Sequence, residues 1–155
     1  MIWWLVVLIS CQFARADVVF LVDSSQSICA GDSSCSDWQS VLSFIIAVIN
    51  RLNVATDRVR VGFIRYASPS ATSNEFYLNS NHFDRTQVTN AVWRVQYNTG
   101  RRFVGDLAYA LSVARTQQFV SNRGDRIGAP NIIIVLTNGG ISATSSAVSF
   151  HLLLQ

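Results

Sequence analysis

The sequence predicts an α/β fold: a doubly wound, mostly parallel sheet with helices on both faces. Three observations predict it. Segments that read as strands and helices alternate along the chain, the order that builds a parallel sheet with covering helices. Two strand-like runs, Val18 to Val22 and Ile132 to Leu136, are apolar without a break. That pattern marks strands buried on both faces, because a half-exposed strand alternates. Between those runs Trp38, Val41, Leu42, Ile45, Ile49 and Leu52 recur at three- and four-residue steps, which puts them on one face of a helix.

The 155 residues suffice for one domain with a sizeable core, and with 50% hydrophobic and 14% charged residues the chain is not disordered. Ile2 to Cys11 form an apolar core of signal-peptide length, too short to span a bilayer, and Ala14-Arg15-Ala16 supplies a small-x-small cleavage pattern. Residues 1–16 are therefore expected to be a signal peptide and 17–155 the domain, which makes the protein secreted and extracellular. Of the three cysteines, Cys29 and Cys35 then remain. Two cysteines in a secreted chain can pair, and their spacing in a Gly/Ser/Asp-rich loop permits a small ring. Zinc is disfavoured there, since neither C-x-x-C spacing nor a nearby histidine is present.

After strand one at Val18–Val22, Ser36 with Gln39 three residues on reads as a capping box opening the first helix. Strand two is expected at Arg58–Tyr66, where Val59, Val61 and Phe63 alternate with Arg58, Arg60 and Gly62. A short strand three around Glu75–Leu78 follows Pro69 and lies among Ser and Asn, which suits a sheet edge. Asp84 and Gln87 cap a second helix carrying Val88, Ala91, Val92 and Val95. A loop at Asn98–Arg102 leads to a third helix with Leu107, Ala108, Leu111 and Ala114, and strand four covers Ile132–Leu136. The tail, Ser145–Leu154, reads as the start of one more helix.

Strand one runs directly into Asp23-Ser24-Ser25-Gln26-Ser27. A D-x-S-x-S set at the carboxyl end of a strand gathers one carboxylate and two hydroxyls on one loop, at the sheet edge where open α/β sheets bind ligands. All three groups are hard oxygen donors of the kind Mg²⁺ and Ca²⁺ take. With this motif in this place, the chain resembles the von Willebrand factor type A domain, whose metal-ion-dependent adhesion site begins with it. The order of elements matches about the first two-thirds of the family's pattern, in which two more strands with their helices follow strand four. The resemblance thus implies a Rossmann-like sheet lacking the last strands. With strand four at the boundary, an open edge beside Ile132-Ile133-Ile134-Val135 is expected, an invitation to self-association.

The resemblance also assigns the site. Asp23, Ser25 and Ser27 match the first loop in full. The second loop brings a Thr a few residues before a helix-opening Gly; with Gly105 as that Gly, Arg102 or Arg101 stands where the Thr belongs. The third loop ends strand four with Thr-Asp-Gly, and here reads Thr137-Asn138-Gly139. Asn138 keeps a carbonyl oxygen and loses the charge. Attraction of a divalent ion to one carboxylate at about 4 Å is roughly 8 kcal/mol at an effective dielectric near 20, before desolvation. Both departures therefore weaken a cation site. What the resemblance implies is Mg²⁺ held by Asp23, Ser25 and Ser27 with Asn138 as a weak contact, capturing an acidic group of an extracellular protein partner. The alternative is a metal-independent structural or assembly module, with Arg102 paired to Asp23 in place of a cation, or Arg101 and Arg102 binding an acidic partner directly. Matrilin-like and collagen-like matrix modules are the members it resembles.

Other functions find little footing. All twelve basic residues are arginine and scattered, with no block or motif for nucleic acid. No G-x-S-x-G elbow, phosphate loop or H-E-x-x-H occurs, so no enzyme is expected. Arg123-Gly124-Asp125 spells a tripeptide read by some integrins, and reads here as a turn.

Overall fold

The computed structural model describes residues 15–29, 35–80, 84–97, 105–137 and 149–154. Its strands are β1 (Ala16–Asp23), β2 (Val59–Tyr66), β3 (Ser73–Phe76), β4 (Asn131–Thr137) and β5 (Ser149–Leu154), and its helices α1 (Ser36–Ile49), α2 (Arg85–Trp93) and α3 (Leu107–Val113). They form one sheet in the order β3-β2-β1-β4-β5. β1 lies parallel to both β2 and β4, while β3 and β5 are antiparallel flanks. The expected α/β architecture is what the chain adopts.

Every residue of β1 is buried. Val18, Phe20 and Val22 join Val59, Val61, Phe63, Ile132, Ile134 and Leu136 beneath α1 and α2. Val19 and Leu21 turn the other way, with Ile64, Tyr66, Ile133 and Val135, toward α3. Helices on both faces thus explain why β1 and β4 show no alternation. The α1 stripe is buried as expected through Trp38, Val41, Leu42, Ile45 and Ile49, joined by Val48. The chain leaves β1 for β2 on one side and returns after β3 to place β4 on the other. The crevice between the carboxyl ends of β1 and β4 is therefore the switch point where such sheets bind ligands.

Several local expectations are corrected. The Ser36/Gln39 capping box does not form: Cys35, in the left-handed region at φ 50°, takes the cap position without a side-chain hydrogen bond, so Ser36 is already helical. The Asp84 cap does form, with Asp84 Oδ1 accepting from the Gln87 amide at 2.8 Å. β3 is an edge strand as expected, shifted two residues earlier. In the tail, Ser149–Leu154 is a strand rather than part of a helix, and it pairs antiparallel with β4 from Ile132↔Leu154 to Thr137↔Ser149. The open edge expected beside Ile132–Val135 is thereby occupied, because β5 satisfies the backbone groups that β4 would have left unpaired. β1 begins at Ala16, the last residue of the expected leader; residues 1–14 lie outside the described residues. Among the described residues no helix is long and apolar enough to cross a membrane.

Candidate metal site at the carboxyl edge of the sheet

Asp23 ends β1 at the switch point, and its register partner across the parallel pair is Tyr66 at the end of β2. Its side chain is only 5% exposed. Oδ1 accepts the Ser25 amide at 2.8 Å, a turn of the type that Asp favours after a strand. Oδ2 accepts the Thr137 hydroxyl at 3.1 Å, from the end of β4 across the crevice. Each oxygen keeps a further lone pair. The turn brings the hydroxyls of Ser25 and Ser27 to 2.8 Å from each other. Gly105, just before α3, lets the backbone come close: a Cβ there would sit 3.2 Å from Asp23 Oδ2 and 3.3 Å from Oδ1.

Two tyrosines register the charge of Asp23. Burial first, and then the Asp23 carboxylate, push the Tyr66 hydroxyl up to about 12, partly offset by its hydrogen bond with Thr137. Tyr97 is raised for the same two reasons, burial leading. No arginine among the described residues lies within ion-pair distance of Asp23, in contrast to Asp17 and Glu75, which are paired with Arg126 and Arg65. A buried carboxylate with no cation beside it is costly unless something positive arrives. The donor set, one carboxylate and neutral hydroxyls, suits a hard divalent ion that keeps some of its water. Among the described residues no group of three His, Cys, Asp or Glu gathers.

Asp23, Ser25 and Ser27 are brought together on one turn. Cys29 and Cys35 are joined in a disulfide with Cα atoms 5.1 Å apart, just past Ser27 and just before α1. Arg101, Arg102 and Asn138 lie outside the described residues. Asp106, which follows Gly105, caps α3, its Oδ1 accepting from the Tyr109 amide at 2.9 Å. In sequence, Thr137 figures only as the first residue of the third-loop motif, without a role, Tyr66 only as the end of strand two, and Tyr97 not at all. Thr137 had a signal, its place at the end of a buried strand; the tyrosines had none. Arg123-Gly124-Asp125 lies at the far side of the sheet, with Arg123 stacked 4.1 Å from the Tyr77 ring and the Gly124 carbonyl accepting from Arg60.

A family model described as "von Willebrand factor type A domain" matches residues 17–149. Mouse matrilin-2 is 34% identical over 132 residues, 84% of this chain and 13% of the relative. Chicken matrilin-1 is 33% identical over 132 residues, 83% of this chain and 24% of the relative. The human collagen alpha-1(XX) chain is 36% identical over 124 residues, 80% of this chain and 9% of the relative. The chain thus spans under a quarter of the length of these relatives. Among solved structures, proximal thread matrix protein 1 from the mussel byssus superposes with a TM-score of 0.72 at 17% identity, over 85% of this chain and 33% of that one. A second structure of that mussel protein is described with a zinc-occupied MIDAS motif. At that identity the likeness speaks for the fold.

Proposed function

The chain belongs to the von Willebrand factor type A domain family, and on that premise we propose that it is a secreted matrix adhesion module, not an enzyme, that binds an acidic group of an extracellular protein partner through a divalent cation. The observation that carries the reading is Asp23: a buried carboxylate at the β1/β4 crevice, beside two hydroxyls 2.8 Å apart, without a basic partner among the described residues. Relatives among the matrilins and collagens support the matrix setting and a protein partner. Asp23, Ser25 and Ser27 would hold the ion, with Asn138 as a weaker contact. When bound, the ion supplies an open coordination position for a partner carboxylate, and Mg²⁺ is the ion proposed. Arg101 and Arg102 are proposed to face the acidic partner. Residues 1–16 are proposed as the leader, which the mass of the secreted form checks.

Titration with Mg²⁺ and Mn²⁺ while following the melting temperature tests this. A ligand of the folded state at a hundred times its Kd adds about 2.7 kcal/mol. For a domain of this size that is a rise of roughly 5–10 °C. The rise is expected at millimolar metal, reversed by EDTA and absent in Asp23→Ala. No rise at any metal concentration overturns the cation. Partner binding indifferent to chelator would instead favour the metal-independent assembly module.

A further inference from the structure

Ser25 is gripped by more than its hydroxyl. Its carbonyl oxygen accepts two hydrogen bonds, one from the Ile28 amide at 3.1 Å and one from the Tyr97 hydroxyl at 2.8 Å. The first closes the short 3₁₀ turn Gln26–Cys29 that carries Ser27. The second comes from a residue 72 positions away, just beyond α2. The Tyr97 ring lies 5.6 Å from the Trp38 ring, tilted by 53°. Trp38 is 2% exposed, and its indole N–H donates to the Val95 carbonyl at 3.1 Å, so the segment that carries Tyr97 is pinned to α1. α1 in turn is capped by Cys35, whose sulfur is bound to Cys29, two residues past Ser27. The circuit closes: Ser25 to Tyr97, Tyr97 to Trp38, α1 to Cys35, Cys35 through Cys29 back to the Ser27 turn.

Resting on the reading of this loop as a cation site, we propose that Tyr97 is its positioning residue. The hydroxyl fixes the plane of the Ser25–Gln26 peptide, and with it the turn that sets the Ser25 and Ser27 hydroxyls side by side. Tyr97 reaches the site only through that peptide and touches no ion. A displaced carbonyl would let the turn relax, and two neutral ligands that must be pre-arranged would lose more than a charged one.

Tyr97→Phe keeps the ring against Trp38 and removes only the hydroxyl. Mn²⁺ binding by calorimetry, with thermal unfolding of the metal-free proteins, tests the proposal. One hydrogen bond's worth of positioning predicts a Kd about five- to tenfold weaker. Asp84→Ala, which removes the remote α2 cap, serves as a control for stability and is expected to leave the Kd unchanged while lowering the melting temperature. Equal Kd for wild type and Tyr97→Phe overturns the proposal, as does a matching loss in Asp84→Ala, which would mark general destabilisation. If Tyr97→Phe does not fold, Trp38→Phe decides, since it keeps a ring against Tyr97 and drops the bond to Val95; an unchanged Kd there overturns the proposal. A wild type that takes no Mn²⁺ overturns the cation reading and this inference together.

Discussion

Thr137 shows how much of the site hangs on one uncharged residue. Its hydroxyl donates to Asp23 across the crevice at 3.1 Å, so a single side chain ties the carboxyl ends of β1 and β4. Thr137→Val keeps the shape and removes the donor. It leaves a buried carboxylate short of one partner, which costs about 1–3 kcal/mol, and urea unfolding at neutral pH is expected to show that loss. A loss within error would mean that the Asp23 carboxylate does not depend on Thr137. Tyr66 gives a second test, in pH. Its hydroxyl is pushed from 10.0 to about 12, so between those values the unfolded chain releases a proton that the folded chain keeps. The stability involved is intact below pH 10 and falls as pH rises toward about 12. Tyr97, shifted the same way, adds to the loss. Tyr66→Phe is expected to flatten this alkaline fall in melting temperature; curves that fall in parallel would remove burial of Tyr66 as its cause.

At the scale of elements, the edge strand β3 is held by the turn that follows α3. There the chain widens into a π-type segment, Ala114–Gln118, which buries Gln118 completely. Its side-chain amide donates to Asn74 Oδ1 at 2.9 Å and to the Phe76 carbonyl at 3.0 Å, both on β3, while Asn74 donates back to Gln117 at 2.9 Å. Gly62 on β2 makes room: a Cβ there would lie 2.5 Å from Gln118 Oε1. Gly62→Ala must therefore push the amide off β3, an overpacking change worth about 1–3 kcal/mol. Hydrogen exchange should quicken at Ser73–Phe76 and stay slow in α1; uniform quickening would argue that the clamp is not local. The elements themselves divide by what the sequence could carry. β1, β4 and the α1 stripe were legible because burial writes itself as an unbroken run or a 3.6-residue period. The Asp84 cap was legible because Asp, Gln and the spacing act within one turn. The same spacing at Ser36 misled, because the disulfide of Cys35 and its left-handed backbone move the cap one residue back. The tail misled because Ser149–Leu154 gains its hydrogen bonds from β4, a partner that no local pattern names.

Across the whole molecule, β1 begins and ends near a buried carboxylate, and the fold treats the two differently. Asp23, at the carboxyl edge, has no basic partner among the described residues, and the first loop of the candidate site was legible because Asp23, Ser25 and Ser27 lie within one pentapeptide. Asp17, near the amino edge, is fully buried and neutralised by Arg126 from 109 residues away, a distance that hid the pair in the sequence, where Arg126 is one of twelve scattered arginines. Arg126 donates to Asp17 Oδ1 from its guanidinium and to Oδ2 from its own amide, both at 2.9 Å, and caps the carbonyls of Ala16 and Arg58 at 2.9 and 2.7 Å. One side chain thus ties the loop before β4 to the starts of β1 and β2, so the amino end of the sheet is fastened by an ion pair, whereas Asp23 at the other end has no basic partner among the described residues. Arg126→Ala would strand the Asp17 charge in the interior, a loss of about 3–5 kcal/mol. Replacing both partners, as Asp17→Asn with Arg126→Leu, is expected to restore part of that, because a stranded charge costs more than a missing pair. Since the two carboxylates sit at opposite ends of β1, the double variant should retain the metal-dependent rise in melting temperature proposed for the wild type. A double variant as unstable as Arg126→Ala would show that the carbonyl caps, rather than the ion pair, fasten the amino end; loss of the metal response would show that the two ends of β1 are coupled.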